Sequence, residues 1–189
     1  ASVHLIPRHF APQILLIENT RVFVSNQLLA MRSPFFNSLF YGEYKEREKE
    51  EIELKDVKLE EFLDLLDFVY EFEQAQFIDS NVSHILKLAD RFSLTYMFDN
   101  AQQFLKRESR LDASKKILLA ETYRMQSTMD YVVFGLCQEE IEELKEKEEY
   151  AGYSDATKAC IEARLTYFHN APTPPPRLSP SYGLSSDSE

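Results

Sequence analysis

The sequence predicts an α+β fold: a small three-stranded sheet flanked by a helical bundle, then a helical C-terminal extension and a disordered tail. Three observations carry this. Short β-rich runs, ILLI at 14–17, RVFV at 21–24 and EIEL at 51–54, lie in the first third of the chain. From Leu59 to about Phe168, apolar residues recur at spacings of three and four, the period of helices with one core face. From Asn170 the string NAPTPPPRLSPSYGLSSDSE has no apolar period and is rich in Pro and Ser.

Taken in order, ILLI and RVFV are separated by Glu18-Asn19-Thr20, which reads as a hairpin, and in EIEL Ile52 and Leu54 alternate with glutamates. Ser33 is placed as an N-cap with Pro34 at the first helical position, and Gly42 stands where that helix ends, giving a short helix over 34–41. Over 59–72 apolar residues lie nearly all round the helix, which predicts deep burial. Asp79 is expected to cap a helix with the stripe Val82, Ile85, Leu86, Ala89 and Phe92, and Thr95 to open another through Met97, Phe98, Ala101, Phe104 and Leu105. Residues 113–124 and 128–149 read as a helical pair, the second with a glutamate-lysine face in which Glu143 and Lys147 stand four apart. Ser154 caps a last helix to about Phe168. The expected division is an N-terminal segment 1–12, a first domain 13–108, a helical extension 109–169 and a tail 170–189.

Composition narrows the function. Hydrophobic residues at 44% and aromatics at 13% supply a core. A formal charge of −11 without a basic run argues against nucleic acid and against anionic membrane surfaces, which need clustered Lys and Arg. No apolar stretch approaches the roughly 20 residues that span a bilayer. Cys137 and Cys160 stand alone, read as buried structural thiols in a reducing cytoplasmic or nuclear compartment. The chain begins at Ala1 rather than Met, as expected of a piece of something longer.

Catalytic and cofactor signals are lacking. His4, His9, His84 and His169 have no carboxylate or cysteine at metal-ligand spacing, and the sequence holds no P-loop and no G-x-S-x-G elbow. Four glycines leave little for phosphate-cradling loops. The reading is a non-enzyme with no cofactor and no metal.

The stretches RVFVSNQLLAMRSPFFNSLF, EIELKDVKLEEFLDLLDFVY and ILKLADRFSL run in the order hairpin, helix, helix, strand, paired helices. This resembles the BTB/POZ domain, and in detail the nematode BTB proteins, some of which carry a MATH domain ahead of it. The resemblance covers about residues 10–107, and residues 111–168 are similar, more loosely, to the start of a BACK-type helical extension. It implies a protein-interaction module that self-associates as a homodimer. Two positions depart from the pattern: Gln13 stands where the family usually has Asp, and Ser25-Asn26 where it often has His-Lys. The charged corepressor pocket of repressor-type members is therefore not carried over.

In family members that recruit the ubiquitin-ligase scaffold cullin-3, a motif of hydrophobic residue, any residue, glutamate follows the aromatic-rich helix. Tyr44-Lys45-Glu46, in the charged string after Gly42, falls on it. A tyrosine flanked by charge makes an amphipathic anchor of the kind enriched at hot spots, and Glu46 fixes orientation. The resemblance places Phe40 beside this motif and extends the surface to the turn at 93–97, through Tyr96 and Met97. The expected function is a substrate adaptor for a cullin-3 type ligase with an unknown protein substrate, the alternative being a BTB oligomerisation scaffold without ligase function. In the tail, Pro172, Pro175 and Arg177 fit the P-x-x-P-x-basic pattern of polyproline ligands. Ser179-Pro180 and SSDSE offer phosphorylation sites.

Overall fold

A computed structural model describes residues 2–4, 13–42, 50–71 and 75–170. The predicted hairpin is β2 (Gln13–Ile17) and β3 (Thr20–Val24), antiparallel with Ile17 opposite Thr20. Glu18 and Asn19 take φ of 47° and 60°, the left-handed region that a tight two-residue hairpin turn requires at both positions. Asn tolerates this; Glu does so at a cost, but its side chain gains a role. Glu18 Oε2 accepts a hydrogen bond from the Leu59 N–H at 3.0 Å, at the start of α3 (Leu59–Val69), where Lys58 at the N-cap makes no side-chain bond. The hairpin tip thus supplies a carboxylate to a free N–H at the positive end of a helix 41 residues away.

Strand β4 (Glu51–Glu53), the third one predicted, pairs parallel to β2. A fourth strand was not anticipated: β1 (Ser2–His4) pairs parallel to β3, giving the order β1-β3-β2-β4. Three residues are too few for an alternating pattern, so only the partner segment Arg21–Phe23 reveals this strand.

Two short helices follow the hairpin, α1 (Asn26–Arg32) and α2 (Pro34–Tyr41). Ser25 and Ser33 cap them, each Oγ accepting from the N–H three residues on, at 3.3 and 3.0 Å. Gly42 ends α2, its N–H donating to Ser38 O at 2.9 Å. The predicted helix over 59–72 closes earlier: Tyr70 is the C-cap of α3, and Glu71 turns away with φ 55°.

The pair α4 (Val82–Arg91) and α5 (Tyr96–Arg107) has the expected stripes, and Thr95 opens α5. Asp79, however, does not cap α4; Asn81 stands there. Asp79 instead accepts from Ser109 Oγ at 2.7 Å and Arg110 N–H at 3.0 Å, tying down the chain after α5. Those hydrogen bonds, Ser109's first, hold its carboxyl below the usual carboxylate range.

The extension comprises α6 (Ala113–Thr122), α7 (Gln126–Gly135), α8 (Gln138–Glu146), α9 (Glu148–Gly152) and α10 (Asp155–Asn170). The single helix expected over 128–149 is therefore broken. Leu136 and Cys137 are extended, and Cys137 begins α8 with a capping box in which Glu140 Oε2 accepts the Cys137 N–H at 2.9 Å. The break has a packing cause: it lets Met129, Val132 and Val133 of α7 share one core with Ile141 and Leu144 of α8, which a straight helix would carry apart. Lys147 consequently falls outside α8, and its carboxylate partner is Asp112 at 3.7 Å rather than Glu143. Cys137 is exposed, not buried, and both cysteines are free.

Buried side chains form two clusters. One joins the sheet to α1–α3 through Leu15, Val22, Leu29, Phe36 and Phe62; the other joins α5 to the extension through Leu105, Ile117, Val133 and Ile161. Helix α4 is the wall between them, giving Ile85, Leu88 and Ala89 to the first and Val82 and Leu86 to the second. Among the described residues no helix is long and apolar enough to cross a membrane.

Candidate partner-binding surface

Of the predicted partner residues, Phe40 sits on helix α2, and Tyr96 and Met97 sit at the start of α5, just after the α4–α5 turn. An aromatic stack joins these: Phe36, Phe62 and Phe92 are fully buried with ring centroids 4.9 to 6.5 Å apart, and the Phe35 ring lies 5.2 Å from that of Phe92. Ser33 locks the junction. Its Oγ donates to Phe92 O at 2.5 Å while accepting from the Phe36 N–H at 3.0 Å, so one buried hydroxyl starts α2 and also pins the turn. Within the turn Ser93 has φ 55°, and the Leu94 N–H returns to Ala89 O at 2.8 Å, closing α4 before α5 begins.

Tyr96 lies half-buried in the first turn of α5. The Arg32 guanidinium stacks 5.4 Å from its ring centroid and also donates to the Glu71 carboxylate. The phenol oxygen is covered and has no hydrogen-bond partner among the described residues. Burial pushes the Tyr96 phenol up, with the Arg32 charge pulling it down. Met97 and Phe40 are placed otherwise than as contact residues: at 1% and 6% exposed, both pack in the first core. The apolar stripe that made Met97 a core candidate in the sequence is what decides its position, and Phe40 stacks on Phe36 at 5.7 Å.

Tyr44 and Glu46 lie outside the described residues, as do Pro172, Pro175 and Arg177 and the tail expected from 170 onward, save Asn170 itself. What is described is the place from which the Tyr44 motif departs: Tyr41, at the last turn of α2, is 49% exposed, and Gly42 ends the helix. Met31 and Phe35 are also exposed, at 75% and 36%. Eight residues of α-helix span about 12 Å, so the motif leaves from one end of α2 while Phe35 and the Tyr96 turn flank the other.

Sequence reasoning missed Arg32, Ser33's second bond and the apolar exposure at Met31, Phe35 and Tyr41. The arginine beside Ser33-Pro34 carried no periodic signal, since its partners are 39 and 64 residues away. At the departures from the family pattern, Ser25 and Asn26 begin α1, the Ser25 N–H also donating to the Tyr70 hydroxyl at 2.8 Å, and Gln13 Nε2 donates to Glu50 O at 3.2 Å. Elsewhere His84 Nε2 sits 2.8 Å from Asp64 Oδ2, and no metal-holding group of His, Cys, Asp or Glu occurs among the described residues.

The BTB/POZ domain family matches residues 8–109. The chain belongs to the BTB/POZ family. Similar relatives include BTB and MATH domain-containing protein 38 of Caenorhabditis elegans, 32% identical over 148 residues, covering 78% of this chain and 38% of that protein. BTB and MATH domain-containing protein 36 of the same nematode is 33% identical over 158 residues, covering 83% of this chain and 49% of that protein. This BTB/POZ chain thus spans less than half the length of either relative. A solved structure of the BTB domain of human gigaxonin aligns with TM-score 0.44 and 18% identity over 51% of this chain and 79% of that one. Membership of this family makes the chain a protein-interaction module, and the matched residues 8–109 take in β2 through α5.

Proposed function

We propose that this chain is a substrate adaptor for a cullin-3 type ubiquitin ligase. The BTB/POZ region holds the scaffold and self-associates, while the BACK-like extension, or a domain outside this chain, holds the substrate. No bond is made or broken by the protein; it raises the effective concentration of a target near the transferring enzyme. The observation that carries the reading is the exposed apolar edge of α2. Tyr41 stands at the end from which Tyr44-Lys45-Glu46 follows, and Phe35 and half-buried Tyr96 stand at the other. Large aromatic side chains held partly exposed on helices are the kind enriched at hot spots.

The test is a cullin-3 pull-down with the full chain and with Tyr44→Ala/Glu46→Ala. Truncating one hot-spot anchor costs about 2 kcal/mol, roughly thirtyfold in affinity, so the double variant loses capture with its circular dichroism unchanged. Undiminished capture by a folded variant removes the adaptor reading. Self-association without any cullin capture, in wild type and variant alike, leaves an oligomerisation scaffold.

A further inference from the structure

Where the α6–α7 turn meets the start of α10, the extension holds a cavity of about 220 Å³. Met129 and Ala120 line it and are almost fully buried. The carboxylate on its wall is committed: Glu121 Oε1 accepts from the Ser154 N–H at 2.9 Å and from the Thr157 hydroxyl at 3.0 Å. Asp130, which adds to burial in pushing the Cys160 thiol up, accepts from Gln126 Nε2 at 2.7 Å. Lys158, the cation that acts on Glu121, donates to Ala151 O at 3.0 Å and lies 5.8 Å from the Tyr150 ring centroid. Arg124 is the exception. Its side chain lines the cavity from an exposed position and makes no hydrogen bond, ion pair or ring contact among the described residues.

The turn holds this arginine in a backbone conformation that suits other residues better. Arg124 has φ 54°, and the Met125 N–H returns to Ala120 O at 2.7 Å, a helix end at which glycine or asparagine is usual. A guanidinium carries five donors in a fork that matches a carboxylate, so the cavity offers unused donors and one unused positive charge. A phosphate group, nearly dianionic, is recognised by clusters of arginine; one free cation fits a carboxylate. In a chain of formal charge −11 it fits a single acidic residue rather than an acidic run. The volume falls short of the roughly 300–1,000 Å³ of small-molecule sites, so the cavity takes one side chain while the rest of the ligand lies outside.

Resting on the reading that the extension holds the substrate, we propose that this cavity receives a glutamate side chain of that protein, its carboxylate paired with Arg124 and its methylenes against Met129 and Ala120. The experiment is a titration of the full isotope-labelled chain with acetyl-Ala-Glu-Ala-amide, followed in its amide NMR spectrum. The amides of Arg124, Thr157 and Cys160 shift and saturate with a Kd of about 1 mM. The glutamine counterpart binds at least about tenfold more weakly, and Arg124→Gln brings the glutamate peptide down to that level. Should that variant lose helical signal, Arg124→Asn, suited to a φ of 54°, takes its place. Shifts that do not saturate by about 20 mM, or that fall on other residues, overturn the proposal. Equal affinity for the two peptides, or for wild type and variant, also overturns it. Free glutarate binding more tightly than the peptide assigns the cavity to a small metabolite, and equally overturns it. Cullin-3 capture plays no part in the titration, so the cavity and the adaptor reading can each fail alone.

Discussion

Replacing Ser33 by Ala removes one oxygen that makes two bonds. The Phe36 N–H loses its acceptor at 3.0 Å, an N-cap loss of about 1 kcal/mol. The Phe92 carbonyl loses its donor at 2.5 Å next to two fully buried rings, and a buried polar group left unpaired costs about 1–3 kcal/mol. The sum is about 3 kcal/mol. Ser25 provides the internal control, because its Oγ caps α1 through the Leu28 N–H at 3.3 Å and makes no second bond among the described residues. Ser25→Ala therefore costs about 1 kcal/mol. Urea unfolding followed by circular dichroism resolves the difference: with a slope of about 2 kcal/mol per molar, the midpoints fall by about 1.5 M and about 0.5 M. Losses within 0.5 kcal/mol of each other would refute the claim that Ser33 clamps the α4–α5 turn, and with it the reason Tyr96 is held in place.

Two further outcomes follow from the same geometry. Glu18→Ala destabilises by about 1 kcal/mol through loss of the α3 cap, whereas Glu18→Gly costs less because glycine relieves the φ of 47°; an Ala variant as stable as wild type contradicts the long-range cap. Tyr153 donates to Ser114 O at 3.0 Å, and burial, then the carboxylates of Glu149, Asp112 and Glu121, push its phenol up to about 12. An unfolded tyrosine titrates near 10, so the unfolded chain releases this proton first. Stability fully present below pH 10 is then lost as pH rises toward 12, by at most about 3 kcal/mol. Tyr153→Phe flattens part of that slope in unfolding midpoints taken from pH 8 to 11.5; identical slopes would exclude the effect.

The sequence by itself determined whatever is written within a few residues. The turn at Glu18-Asn19, the Ser33-Pro34 start and Gly42 end of α2, Thr95 before α5 and Ser154 before α10 were all legible, since caps and turns are made by near neighbours. Core faces were legible for the same reason: the spacing that marked Val82, Ile85 and Leu86 is the spacing of one helix face. Only the tertiary structure decided what depends on distant partners. Strand β1 exists through Arg21–Phe23, Asp79 serves Ser109 and Arg110 rather than α4, and the helix expected over 128–149 breaks so that two stripes share one core. At the candidate surface the motif at Tyr44 was readable as residues. The burial of Phe40 and Met97 and the Arg32 stack on Tyr96 were not, because exposure is a property of what packs alongside, and packing partners here lie tens of residues apart.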